Sequence, residues 1–177
     1  MFFYGALTAH NAADNCIITN NIFYNNKVPL SIDGHISIDN SNIFSNPSDA
    51  TQKNKYNGIF VHGQDIISGS PTWEETEVAY VIQDSGFELW DEFSLTLGDN
   101  VTLKFYTDGM LDIQSGATLT NGQGAGVFFT SFKDDNLKGD TNGDGTGTTP
   151  GVNEWHGIYN GLSFLTWNNI LYSSNSY

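Results

Sequence analysis

A short pattern recurs along this chain at an interval that leaves few folds open. Ile17 to Asn25 (IITNNIFYN) and Ile38 to Asn46 (IDNSNIFSN) match at Ile17 and Ile38, Asn21 and Asn42, Ile22 and Ile43, Phe23 and Phe44, and Asn25 and Asn46. The offset is about 21 residues, and one further step reaches Ile59 in Gly58-Ile59-Phe60-Val61. Asn168 to Tyr172 (NNILY) repeats Asn20 to Tyr24 (NNIFY) about seven such steps later. A period in the low twenties marks a solenoid, in which each repeat is one coil that can bury its apolar face only against the next. The Leu-x-x-Leu-x-Leu scaffold of leucine-rich repeats, which share this period, is absent.

Short β-branched and aromatic runs lie between polar turns. Phe93 to Leu97, Val101 to Phe105, Met110 to Ile113, Ala117 to Thr120 and Val127 to Phe132 alternate with Gly98-Asp99-Asn100, Thr107-Asp108-Gly109, Gln114-Ser115-Gly116 and Asn121 to Gly126. Runs of this length with period-two alternation are strands, and helical periodicity is sustained nowhere. The fold class expected is all-β, a parallel β-helix of about seven to eight rungs. Val101, Leu103, Phe105, Leu111 and Ile113 face inward in this reading. Asn21 and Asn42 are the candidates for a side-chain amide ladder, because Asn tolerates the left-handed backbone that such turns need.

Composition removes several function classes. The chain of 177 residues carries six Lys, no Arg and 20 Asp plus Glu, a formal charge of −14. Nucleic acid, anionic membranes and polyanionic glycans all require a basic surface, so none is expected as a partner. Aromatics at 14% exclude a disordered acidic tail. Cys16 stands alone and reads as a small buried hydrophobe; it allows no intrachain disulfide. No segment is long enough to span a bilayer, and the start MFFYGALTAHNAADN lacks the basic region of a signal peptide. The abrupt start at Met1-Phe2-Phe3-Tyr4 and the equally abrupt end suggest a segment of a longer protein. Residues 1–177 are expected to form one domain, with a sub-boundary near 68–77 (SGSPTWEETE).

One stretch carries candidate chemistry. Lys133 to Gly147 (KDDNLKGDTNGDGTG) crowds carboxylates that repel one another unless a cation holds them. Asp140-x-Asn142-x-Asp144-Gly145 has the alternating oxygen spacing of a calcium loop, with Gly where the chain must turn sharply. Position twelve is Gly151 rather than a bidentate Glu, and no amphipathic helix flanks the loop, so it is not an EF-hand. The remaining oxygens are expected from Asp134, Asp135 and the Thr146 carbonyl, with Glu154 a weaker candidate. Ca²⁺ fits this set better than Mg²⁺, which demands tighter geometry. Zn²⁺ does not fit: His10, His35, His62 and His156 are scattered without ligand spacing, each reading as a surface or turn residue.

From Glu75 to about Tyr172 the chain resembles a family of bacterial extracellular right-handed parallel β-helix proteins. The resemblance rests on Tyr80-Val81-Ile82, Gly98 to Phe105, Leu111 to Leu119, Phe129-Thr130-Ser131, Lys133-Asp134-Asp135, Gly139 to Gly145 and Trp155-His156-Gly157-Ile158, in that order. The N-terminal part looks like generic pectate-lyase-type β-helix. The family's members are large surface or secreted proteins, mostly without an assigned activity. The resemblance therefore implies a handedness, a bacterial origin and a cell-surface or extracellular setting rather than a reaction.

The function expected is a non-catalytic, calcium-stabilised surface module, structural or adhesive, whose Trp73, Trp90, Trp155 and Trp167 could stack on neutral glycan or meet a surface protein. Open solenoid ends would favour self-association. The alternative is a polysaccharide lyase or glycoside hydrolase. A lyase would need a strong base, for which only Lys104 and Lys133 come into view, and a hydrolase would use Asp134 and Asp135 as its carboxylate pair. An ice-binding face would need regular Thr columns, and Thr96, Thr102, Thr118, Thr120 and Thr130 share no clean period.

Overall fold

The computed structural model describes residues 4–62, 65–66, 68–83 and 85–175; the Phe2-Phe3 part of the start lies outside them. Among the described residues there are short strands and no helix. The chain is a parallel β-solenoid. Its widest wall is a six-stranded parallel sheet of Leu7–Ala9, Leu30–Asp33, Gly58–His62, Ala79–Ile82, Thr102–Phe105 and Phe128–Ser131. A four-stranded wall holds Asp65–Ile66, Phe87–Leu89, Met110–Ile113 and Gly157–Tyr159, and a three-stranded wall holds Thr72–Trp73, Ser94–Leu97 and Thr118–Thr120.

Alternation along each strand sends every second side chain into the coil, and parallel register stacks it on its counterpart one turn away. Leu7, Leu30, Ile59, Tyr80, Leu103 and Phe129 form one such inward column. Val101, Leu103, Phe105, Leu111 and Ile113 are all buried, as their alternation predicts. Aromatic rings extend the stacking: Trp73 lies on Tyr80 at 4.6 Å and 7°, and Phe105 on Trp155 at 4.2 Å and 3°. Each such pair adds about 0.5–1.5 kcal/mol beyond the area it buries. The apolar cluster runs without a break from Ile18 to Ile170. The stretch 68–77 takes part in it, because Trp73 is buried and pairs with both Leu97 and Ile38.

The turns number about five, not seven or eight. Two excursions consume the difference. Ser45–Asn46 and Asp49–Lys53 form an antiparallel hairpin, and residues 133–153 form a long loop with no strand. Turn length is therefore elastic. The 21-residue offset holds for Ile22 against Ile43, which bridge in parallel, and for Phe23 against Phe44, whose rings stack at 5.3 Å. It does not continue to Ile59, which stacks between Leu30 and Tyr80. Ile170 bridges Phe129, in a different column from Ile22.

Asn does the turning and the laddering. Asn11, Asn20, Asn25, Asn100 and Asn121 all adopt positive φ, between 54° and 63°. The Asn21 amide donates to Asn42 Oδ1 at 3.0 Å, and Asn42 Nδ2 passes a bond on to the Ile18 carbonyl at 2.9 Å. Asn54 makes the fuller network, donating from Nδ2 to the carbonyls of Phe23 and Phe44 and to Asn57 Oδ1 while accepting from Asn26. The threonines do not share one column, but Thr72, Thr96 and Thr120 do, Ser94 and Thr118 share the next, and Thr102 and Thr130 stand in the six-stranded sheet. Both columns repeat at an even 24 residues, a step that differs from the 21-residue offset of the Asn-Ile-Phe pattern.

The outward column of the six-stranded sheet is the unexpected surface. Ser31, Phe60, Val81, Lys104 and Thr130 face away from the coil, yet all are fully buried. A second apolar cluster of Val28, Phe60 and Val81, packed with Tyr56, Tyr106 and Phe132, covers part of this face. The loop 133–153 covers Lys104 and Thr130 while His10 lies against Ser31, and it is the loop that carries the clustered carboxylates.

Candidate functional site

The loop leaves the strand Phe128–Ser131 and folds back across the outside of the sheet. Lys104 anchors it from below, donating from Nζ to the Gly139 carbonyl at 2.8 Å and the Thr141 hydroxyl at 2.7 Å. Lys138 Nζ reaches the Thr76 carbonyl at 2.7 Å, and Lys133 pairs with Glu154 at 2.8 Å where the loop leaves and rejoins the coil. Gly143 lies directly on the chain beneath, where a Cβ would meet the Lys55 carbonyl oxygen and the Tyr56 ring at 2.9 Å each. Burial pulls the Lys104 ammonium down to about 8, against the opposing pull of Asp134, Asp135 and Asp140. That ammonium is capped by the loop and is not an open base.

Within the loop, Asp135, Asp140 and Asp144 each bring one carboxylate oxygen within 4.8 Å of the others. Two oxygens on opposite sides of a Ca²⁺ ion lie about 4.8 Å apart, so the three can share one such ion. Backbone amides fix two of them. Asp140 Oδ1 accepts from Gly143 N at 2.6 Å and Asp144 N at 3.2 Å, and its Oδ2 accepts from Gly145 N at 2.7 Å. Gly145 stands at φ 73°, the left-handed turn expected of the sixth position. Asp144 accepts from Gly147 N at 3.1 Å and from the Thr148 hydroxyl at 2.6 Å, and the hydroxyl bond foremost holds its carboxyl below the usual range.

Asp135 is different. Its Oδ1 is buried and has no hydrogen-bond partner. Burial raises its carboxyl above the usual range, and the charges of Asp140, Asp144 and Asp134 add to this while Lys104 opposes it. A bare, buried carboxylate oxygen beside two ordered carboxylates is an arrangement that a hard cation would relieve on every count.

The other expected ligands have the following surroundings. Asp134 is buried; its Oδ2 accepts from the Thr130 hydroxyl at 2.7 Å and its Oδ1 from Asn136 N at 3.0 Å, so it ties the loop to the sheet. It is not paired with Asp135 across any open cleft. Asn142 uses its Oδ1 to accept from Asp144 N and its Nδ2 to donate to Thr148. Thr146 is exposed in the turn closed by the Gly147 amide on the Asp144 carbonyl. Glu154 is committed to Lys133. Lys104, Thr141 and Thr148 support the site and escape a reading of ligand spacing; only a lysine on the outward side of a strand hinted that something must cover it.

Of the four tryptophans, Trp73 and Trp155 are core, Trp167 is half-buried and Trp90 is exposed. Trp90 borders a hollow with Glu88, Asp91, Gln114 and Ser115. No helix among the described residues is long and apolar enough to cross a membrane. Comparison with family models, curated proteins and solved structures finds no match to this chain.

Proposed function

We propose that this chain is a non-catalytic, calcium-stabilised β-solenoid module, a rigid structural or adhesive segment at the bacterial cell surface or outside the cell. The observation that carries the reading is the convergence of Asp135, Asp140 and Asp144, with one buried oxygen of Asp135 unpartnered. Calcium would neutralise that cluster and pin the loop across the sheet, and external calcium would keep the site filled. The surface setting draws on the sequence resemblance alone.

Thermal unfolding in EDTA and then in added Ca²⁺ tests this. Calcium at a hundredfold excess over its Kd adds about 2.7 kcal/mol, a rise of roughly 5–10 °C in Tm for a chain of this size. The rise is expected in the parent chain and absent in Asp144→Ala. An unchanged Tm in the parent chain would remove the structural calcium from the account.

Exposed Trp90 favours a second role for the same scaffold, contact with a neutral glycan. An indole face beside Glu88, Asp91 and Gln114 offers a stacking platform ringed by hydrogen-bonding groups. Titration with neutral oligosaccharides, with Trp90→Ala as the control, decides it: equal heats from both chains would exclude this face.

A further inference from the structure

At the ends of three neighbouring strands in the six-stranded sheet, His10, Asp33 and His62 fall into one column. The register sets Ala9 beside Ile32, which places His10 beside Asp33, and it pairs Asp33 directly with His62. One ligand atom from each of the three side chains lies within 4.8 Å of the other two. The imidazole rings of His10 and His62 are stacked, 4.1 Å between centroids at 18°. We propose that His10, Asp33 and His62 form a binding site for a divalent transition-metal ion of the Zn²⁺ class, distinct from the acidic loop.

The donor set and its spacing support this. Two imidazoles and a carboxylate make up a three-ligand zinc set, which leaves a fourth position for water. His62 Nδ1 and Asp33 Oδ1 stand 3.5 Å apart. That is long for a charge-assisted hydrogen bond, which runs about 2.7–2.9 Å. It is close to the separation of two ligands on one tetrahedral ion, about 3.4 Å for bonds of about 2.1 Å. Outer contacts hold His10 and Asp33, and the His62 ring must turn out of its stack on His10 for both in-plane lone pairs to meet one ion. His10 Nε2 is hydrogen-bonded to the Ser31 hydroxyl at 2.8 Å, and Asp33 Oδ2 accepts from the Asn11 amide, leaving Oδ1 toward His62. The side chains of His62 and Asp33 are 29% and 17% exposed, so an ion can enter from solvent. In sequence the ligands are a turn apart, and unequal turns conceal the spacing.

The test uses the full chain, stripped with chelator and held in excess Ca²⁺ so that the acidic loop does not compete. Zn²⁺ is titrated by calorimetry, and Co²⁺ is followed by its visible absorption. One equivalent of Zn²⁺ is expected, with affinity falling at least about tenfold in His62→Gln and in Asp33→Asn, and unchanged in His35→Gln and His156→Gln. Unfolding of each variant in EDTA separates lost binding from lost fold. Should a variant fail to fold, imidazole ¹⁵N shifts of the parent chain give the answer directly: Zn²⁺ must move the His10 and His62 resonances and leave those of His35 and His156 in place. No stoichiometric uptake by the parent chain, uptake undiminished in the His10→Gln/His62→Gln double variant, or shifts at other histidines would overturn the proposal.

Discussion

The Lys104 ammonium, on the outer side of the solenoid wall, donates to the Thr141 hydroxyl across 2.7 Å, in a loop that leaves the coil only after the next strand of the sheet. Both residues are fully buried. Thr141→Val keeps the side-chain shape and removes the acceptor. A hydrogen bond to a charged group is worth about 1.5–3 kcal/mol, and the variant is expected to lose that much in denaturant unfolding with EDTA present. Amide exchange in residues 139–147 should rise well above that of the sheet. Exchange that stays at the parent level would mean that the loop is held by other contacts.

Asp135 and Asp140 should respond to mutation with opposite signs when calcium is absent. Asp135→Asn removes a buried, repelled charge, so in EDTA the variant should be at least as stable as the parent. Asp140→Ala removes the acceptor of the Gly143 and Gly145 amides, leaves the Asp144 amide only Asn142, and should cost about 1–3 kcal/mol in the same buffer. Neither variant should gain from added Ca²⁺. Parallel melts with and without the ion check all of this at once, and an Asp135→Asn protein that still gained from calcium would take that residue out of the site.

Glu75 supplies a pH dependence of its own. It is fully buried, its Oε2 lacks a partner, and burial lifts its carboxyl to about 7 against the opposing bonds from the Glu77 and Thr76 amides. Between the unfolded value of 4.5 and about 7 the folded chain keeps a proton that the unfolded chain has lost. Its contribution is therefore fully present below 4.5 and is lost as pH rises through about 7. The shift amounts to at most about 3 kcal/mol. Glu75→Gln, neutral at every pH, should match the parent near pH 4.5 and exceed it in stability at pH 8. Stability curves measured across that range that ran parallel would show that Glu75 ionises freely in the fold.

Asn54 and Asn46 share a residue type and differ in burial. Removing the Asn54 side chain strands the carbonyls of Phe23 and Phe44 inside the coil, so Asn54→Ala is expected to cost about 2–5 kcal/mol. Asn46 sits in the hairpin, where its side chain meets only Gln52 and the Ser48 amide, and Asn46→Ala should fall within about 0.5 kcal/mol. Denaturant midpoints of the two variants check the difference.

Much of the coil could be read from residues 93–132. There alternation is regular, turns are short, and Asn or Gly marks each corner, so strands such as Met110–Ile113 stand where the pattern puts them. What escaped reading depends on contacts between turns. A parallel stack joins residues one turn apart, and the hairpin at Ser45–Lys53 and the loop at 133–153 change how many residues one turn contains. The number of turns and the His10–Asp33–His62 column were hidden for this reason, whereas the Thr72–Thr96–Thr120 column repeats at an even 24 residues and was open to reading. Within the loop, spacing alone brought Asp140 and Asp144 into view. Chain position gave no means of separating Asp134, which is spent on Thr130, from Asp135, whose Oδ1 is left without a partner.

The loop also bears on how the molecule would respond to tension. Hydrogen bonds between turns run along the solenoid axis, so a pull along that axis opens them one turn at a time. Residues 133–153 run along this direction from turn to turn, like a batten across planks. They are fastened at Thr76 and Lys104 and rest on Lys55 and Tyr56, which belong to successive turns. Load applied there is shared by several turns and must shear the fastenings together. Among the described residues the turn bearing Leu7–Ala9 has no such brace and should peel before the batten-backed block between Lys55 and Phe132 extends.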